Sequence, residues 1–240
     1  MMPKYDLEKI KFALDLSTFT KAVDLYDKKR VTQFRNLNDG YSATVLGGNS
    51  YQVFVSSQDF EVGSCTCYLG ANNNLCKHMI SVAIFAVKNG KSLTAEDKIQ
   101  NNELIFSGQK GVLTNTQLSE VKKSLSETLR YIKPYRGPSR IWFSYQNSLD
   151  EGCNRFSALL SKLPAGRQTT KLIVNLLLRL DKKLSSGGVD DSNGTVGGFI
   201  EEAVKMLTEY VKIDPECKKE FEKLRDMETS FGWEEPLLSS

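Results

Sequence analysis

An α+β chain is the fold class that this sequence predicts: a small β-meander running into a helix, followed by an all-α helical bundle. Three observations carry it. Apolar residues alternate at a period of two between Val31 and Val55, they recur at helical spacing on either side, and a cluster of cysteines around the only histidine joins the two regimes. With 240 residues, of which 40% are hydrophobic, the chain can build two cores. The expected division is 1–90 for N-terminal helices and a finger whose core covers about 28–90, 91–115 for a linker, and 116–240 for a helical domain.

Within residues 3–29, Leu7, Ile10, Phe12, Leu14, Phe19, Val23 and Tyr26 fall at helical steps, and Ser17 or Thr18 would divide them into two short helices. From Arg30 the period changes. Val31, Phe34, Tyr41, Ala43, Val45, Tyr51, Val53 and Val55 alternate with polar residues, and Asn38-Asp39-Gly40 and Gly47-Gly48-Asn49 supply turns. Three antiparallel strands follow from that pattern, with a fourth at Phe60–Ser64. The apolar run Met79–Val87 then predicts a helix over 76–88, stopped by Lys88-Asn89-Gly90.

Between strands and helix stand Cys65, Cys67, Cys76 and His78. Cysteines one residue apart in an extended segment point to the same side, so both sulfurs can face one ion. The second pair opens the helix. Three thiolates and an imidazole suit a closed tetrahedral zinc site, one ion per chain. An iron–sulfur cluster is the other metal reading, and buried thiols without metal are the plain alternative. A Cys–His nucleophile could recruit only His78, which leaves no second base.

The full pattern is C-x-C, eight residues, then C-x-H, with the strings Ser-Cys-Thr-Cys and Cys-Lys-His-Met, a meander before it and an apolar run after it. This resembles the SWIM-type zinc finger over roughly residues 28–90. The resemblance implies that Cys65, Cys67, Cys76 and His78 are zinc ligands, that the zinc is structural, and that DNA or protein partners are bound. Tyr68 stands where many members of that family have proline, which alters the turn but not the coordination.

Beyond the finger, Leu118, Val121, Leu125 and Leu129 predict a helix over Thr116–Ile132, capped by Thr116 or Asn115. Further helices are expected at Gln146–Leu163, Arg167–Leu184 and Val196–Val211, and at Glu216–Met227 after the Asp214-Pro215 start signal. The helix from Arg167 is apolar almost all round and belongs in the middle of a bundle. Gly187 to Gly198 reads as a flexible connection, and Cys153 and Cys217 read as packing residues.

A net charge of +3 is too small to imply nucleic acid on its own. Local cations are more informative. Lys28, Lys29, Arg30, Arg35 and Lys77 surround the finger, and Arg130, Lys133, Arg136 and Arg140 alternate with aromatics in a stretch without acids, a composition suited to phosphate contact and base stacking. A packed loop whose aromatics are core and whose cations are solvated or cap helix ends is the preferred reading of the second group. No paired carboxylates or other catalytic set stands out. The expected function is therefore a non-catalytic nucleic-acid or protein interaction module, the alternatives being a pure protein–protein adaptor or an enzyme whose site lies in the helical domain. The start Met-Met-Pro-Lys-Tyr-Asp lacks the features of a secretory signal, no run of residues is long and apolar enough to span a membrane, and five cysteines are an odd number. The expectation is a cytoplasmic protein with no membrane partner.

Overall fold

Two aspartates set the first helices. Asp6 accepts a hydrogen bond from the Lys9 N–H at 2.7 Å to start α1 (Leu7–Phe12), and Asp15 accepts from the Thr18 N–H at 2.9 Å to start α2 (Leu16–Asp27). The break thus precedes the expected Ser17–Thr18 position, because the carboxylate of Asp15 supplies the cap. These coordinates are a computed structural model that describes residues 2–100, 103–138 and 142–239. They form two compact units, Met1–Gln100 and Asn101–Ser240.

In the first unit, α2 ends with Lys29 at φ 53°, and the Arg30 N–H reaches back to the Leu25 carbonyl at 2.9 Å. The chain turns there into a sheet. Strands β1 (Val31–Asn36), β2 (Gly40–Leu46), β3 (Ser50–Ser56) and β4 (Gly63–Cys65) pair antiparallel in the order β1-β2-β3-β4. The fourth strand starts later than expected and ends on Cys65. Phe60, read as part of it, instead packs in the core with its ring edge-on to Tyr5 at 5.6 Å. A register slip between Thr32 and Arg35, with Gln33 at φ 51°, marks a bulge in β1. Phe34 meets the rings of Tyr41 and Phe85, at 5.6 and 4.5 Å.

Val31, Ala43, Val45, Val53 and Val55 are buried on the inner face of the sheet. The short helix α3 (Tyr68–Ala71) and then α4 (Lys77–Lys88) follow β4, and α4 packs against α2 and that inner face. Every residue from His78 to Ile84 is buried, so α4 is an interior helix, and Asn89 and Gly90 end it in left-handed conformation. Thr94 and Asp97 form a capping box for α5 (Ala95–Lys98), Lys88 pairs with Asp97 at 2.7 Å, and the Gln100 side chain donates to the Leu14 carbonyl.

The second unit is helical: α6 (Asn115–Thr128), α7 (Trp142–Leu160), α8 (Arg167–Ser185), α9 (Thr195–Ile213), a 3-10 helix (Pro215–Leu224) and α10 (Glu235–Ser239). Thr114, not Thr116 or Asn115, caps α6, in a capping box with Gln117. The segment expected as a helix at Glu216–Met227 is 3-10. Its inward residues Cys217, Glu220, Phe221 and Leu224 recur at three- and four-residue steps that either helix type satisfies, so spacing does not separate them. Ile173, Val174, Leu177 and Leu180 of α8 are fully buried, but the helix is amphipathic rather than apolar all round: Arg167, Lys171, Asn175 and Arg179, four residues apart, form an exposed stripe. Residues 104–113 lie along the α7–α8 connection: the Ala165 N–H donates to the Gln109 carbonyl at 2.7 Å, the Gly111 N–H to the Ala165 carbonyl at 3.0 Å, and Phe106 meets the Tyr210 ring at 5.2 Å. Cys153 and Cys217 are buried in this unit's core. Among the described residues, no helix is long and apolar enough to cross a membrane.

Candidate metal centre

The pairing of β4 with β3 brings Cys65 opposite Val53, on the buried face of the sheet. Two residues on, Cys67 is the N-cap of α3. Its own N–H lies 3.5 Å from the Cys65 sulfur, and the Gly70 N–H lies 3.4 Å from the Cys67 sulfur, so backbone donors are directed at both sulfurs. Cys76 is the N-cap of α4 but makes no side-chain capping bond. His78 sits in the first turn. Its Nδ1 is 3.8 Å from the Cys65 sulfur and 3.9 Å from the Cys76 sulfur.

All four side chains are buried, and their donor atoms lie within 4.8 Å of one another. A tetrahedral zinc ion with ordinary Zn–S and Zn–N bonds needs sulfur-to-nitrogen edges of roughly 3.6 Å. The two sulfur-to-nitrogen spacings given above are only slightly wider, and with all four donor atoms within 4.8 Å the set is compatible with a single ion. A two-iron cluster, with ligands divided between two metal atoms, needs a more spread set.

Residues between and around the ligands shape the site. The Tyr51 ring stacks on the His78 imidazole at 4.2 Å with 27° between the planes. Gly47 leaves room for that pair, since a Cβ there would lie 3.1 Å from the Tyr51 ring and 3.3 Å from His78 Nε2. Gly70 is tighter. A Cβ on it would lie 2.4 Å from the Cys65 Cβ and 2.5 Å from the Cys65 carbonyl oxygen. We expect Gly70→Ala to push α3 away from Cys65 and weaken zinc binding by about 10- to 100-fold, the range for groups that orient metal ligands. Competition with a chromophoric chelator measures this; wild-type affinity in the variant would refute it.

Electrostatics before metal uptake are set by burial. It pushes the Cys65 thiol up to about 12 and raises Cys76 as well. At Cys67 burial also acts upward, but the Gly70 N–H and the neighbouring thiols Cys76 and Cys65 outweigh it and the net shift is down. Burial, helped by the Lys77 charge, brings His78 down to about 4, so the imidazole is neutral at pH 7 and ready to ligate. Zinc binds thiolates, so Cys65 and Cys76 must each give up a proton when the ion enters. Uptake near neutral pH should release at least these two protons, and affinity should climb by about 100-fold or more per pH unit. The sign follows from the ligated thiolates being far more acidic than the free buried thiols. Calorimetry in buffers of different ionisation enthalpy reads the count, and an affinity flat between pH 6.5 and 8 would contradict it.

The nine cations proposed from sequence do not form one set. Lys28, Lys29, Arg30 and Lys77 lie at the end of the sheet that holds the ligands, with Lys28 paired to Asp24 at 2.8 Å. Arg35, opposite Ser42, is toward the other end. Arg130, Lys133 and Arg136 belong to the second unit and are exposed, but the aromatics among them are engaged. Tyr131 lies under the Arg155 guanidinium at 4.9 Å, and Tyr135 packs on Tyr145 at 4.9 Å. Arg140 lies outside the described residues. Tyr51, Gly47 and Gly70 were not singled out as site residues from sequence. A glycine three residues after C-x-C was the one available signal.

No family model matches this chain, and neither does any curated protein or solved structure.

Proposed function

We propose that the protein is a zinc-stabilised, non-catalytic interaction module of the SWIM type, with nucleic acid or protein as its partner. One observation supports this most: Cys65, Cys67, Cys76 and His78 are all buried and their donor atoms gather within 4.8 Å, where β4, α3 and α4 meet. Four protein donors complete a tetrahedron and leave no position for substrate, which is the hallmark of a structural site. Zinc supplies cross-linking there. Cys65 and Cys67 hold the strand side, Cys76 and His78 hold the helix side, and the turn between them, Tyr68 to Leu75, is fixed as a displayed loop.

Metal analysis of protein purified without added zinc tests the first half of this reading, with about one zinc per chain expected. Titration of labelled oligonucleotides across a salt series tests the second. Phosphate contact gives affinity that falls steeply with salt, whereas binding that is absent or flat turns the module into a protein adaptor.

A further inference from the structure

Tyr68 is 84% exposed and Leu69 47%, an unusual placement for an aromatic residue next to a rigid buried centre. Tyr68 follows ligand Cys67, and Lys77 lies between ligands Cys76 and His78. The clamp therefore carries both on its rim. The Leu46 N–H donates to the Arg30 carbonyl at 2.9 Å, and the next residue, Gly47, abuts the His78 ring. Lys29, Arg30, the β2–β3 turn, Lys77 and Tyr68 thus share one end of the sheet.

The charge at that end is one-sided. No Asp or Glu occurs between Glu61 and Glu96. The two nearby acids at the end of α2 are already neutralised, Asp24 by Lys28 at 2.8 Å and Asp27 by Lys98 at 2.7 Å. Lys29, Arg30 and Lys77 have no carboxylate partner among the described residues. Unbalanced cations beside a solvent-facing aromatic ring match a polyanion whose bases are free to stack. A duplex keeps its base faces covered; a single strand offers them.

We infer that the metal-bearing end of the sheet binds single-stranded nucleic acid, with Tyr68 stacking on a base and Lys29, Arg30 and Lys77 contacting phosphates. This rests on the interaction-module reading and narrows its partner.

The test is fluorescence anisotropy with the full zinc-loaded chain, a labelled oligodeoxythymidine of about 15 nucleotides and a hairpin duplex, over a salt series. The single strand should bind more tightly than the duplex. Tyr68→Ala should weaken it about 5- to 100-fold, as loss of one stacked base does, and Tyr68→Phe should retain it. Arg30→Ala should lower the slope of log affinity against log salt by about 0.7, the value for one single-strand phosphate contact. Arg35→Ala, at the other end of the sheet, should change nothing. Tyr68 is exposed enough that its replacement leaves the fold intact, and unchanged zinc content verifies this. Equal affinity of Tyr68→Ala and wild type, or preference for the duplex, overturns the inference while leaving a nucleic-acid module standing. Absence of binding to either form overturns it and removes nucleic acid as the partner, while one bound zinc per chain still upholds the structural site.

Discussion

Chains carrying Cys76→Ala or His78→Ala will purify without stoichiometric zinc, and their N-terminal unit will unfold at much lower denaturant than the wild type. Both residues hold the helix side of the clamp, and both are buried. Removing either leaves three donors facing a space too dry to stabilise loose charge. Structural zinc in small fingers is worth roughly 10–16 kcal/mol of apparent binding energy at neutral pH, comparable to the whole net stability of a domain. The unit nevertheless has its own core, in which Ile10, Phe19, Val45, Val55, Phe60, Ile80 and Ile84 are fully buried. Loss of the ion should therefore release protection outward from the ligands, first in residues 65–80. Hydrogen exchange with and without a chelator follows this. One zinc per chain in either variant, with no substitute ligand found, would sink the assignment.

Phe156→Ala will destabilise the helical unit by about 3–5 kcal/mol, the usual cost of emptying a buried aromatic site. Phe156 is fully buried toward the C-terminal end of α7, with its ring centroid 5.5 Å from that of Phe199 on α9. Because Phe156 and the ligands sit in different cores, zinc content should stay at the wild-type level. Denaturant unfolding followed at α-helical wavelengths, together with metal analysis, separates the two effects. A loss of zinc on this substitution would show that the units are coupled.

Much of the fold was legible because its signals are local. Alternation at Tyr41, Ala43 and Val45 gave the strand, and the uninterrupted apolar run after His78 gave an interior helix, since side-chain period follows from backbone geometry alone. The misplacements have local causes as well. The break between the first two helices falls before Ser17 and Thr18, where it was expected, because Asp15 caps α2: a carboxylate in the β region before a helix satisfies an N–H that otherwise stays unpaired. The segment after Asp214-Pro215 was read as helical but not as 3-10, since its inward residues serve either winding. Composition left the stretch from Arg130 open between a stacking surface and the preferred packed loop, and the packing of Tyr131 under Arg155 and of Tyr135 on Tyr145 agrees with the loop.

The sequence alone determined the candidate ligand set: three sulfurs and the only imidazole, spaced so that a strand end and a helix start each present a pair. Their chemistry is a property of residue type and short spacing. Only the tertiary structure decided how the pairs meet. It set Tyr51 flat on His78, brought the backbone of Gly70 against Cys65, and put Lys77 at the end of the sheet away from Arg35. Those relations depend on strand register and on packing between residues far apart in the chain, where a one-residue slip would turn every inward side chain outward.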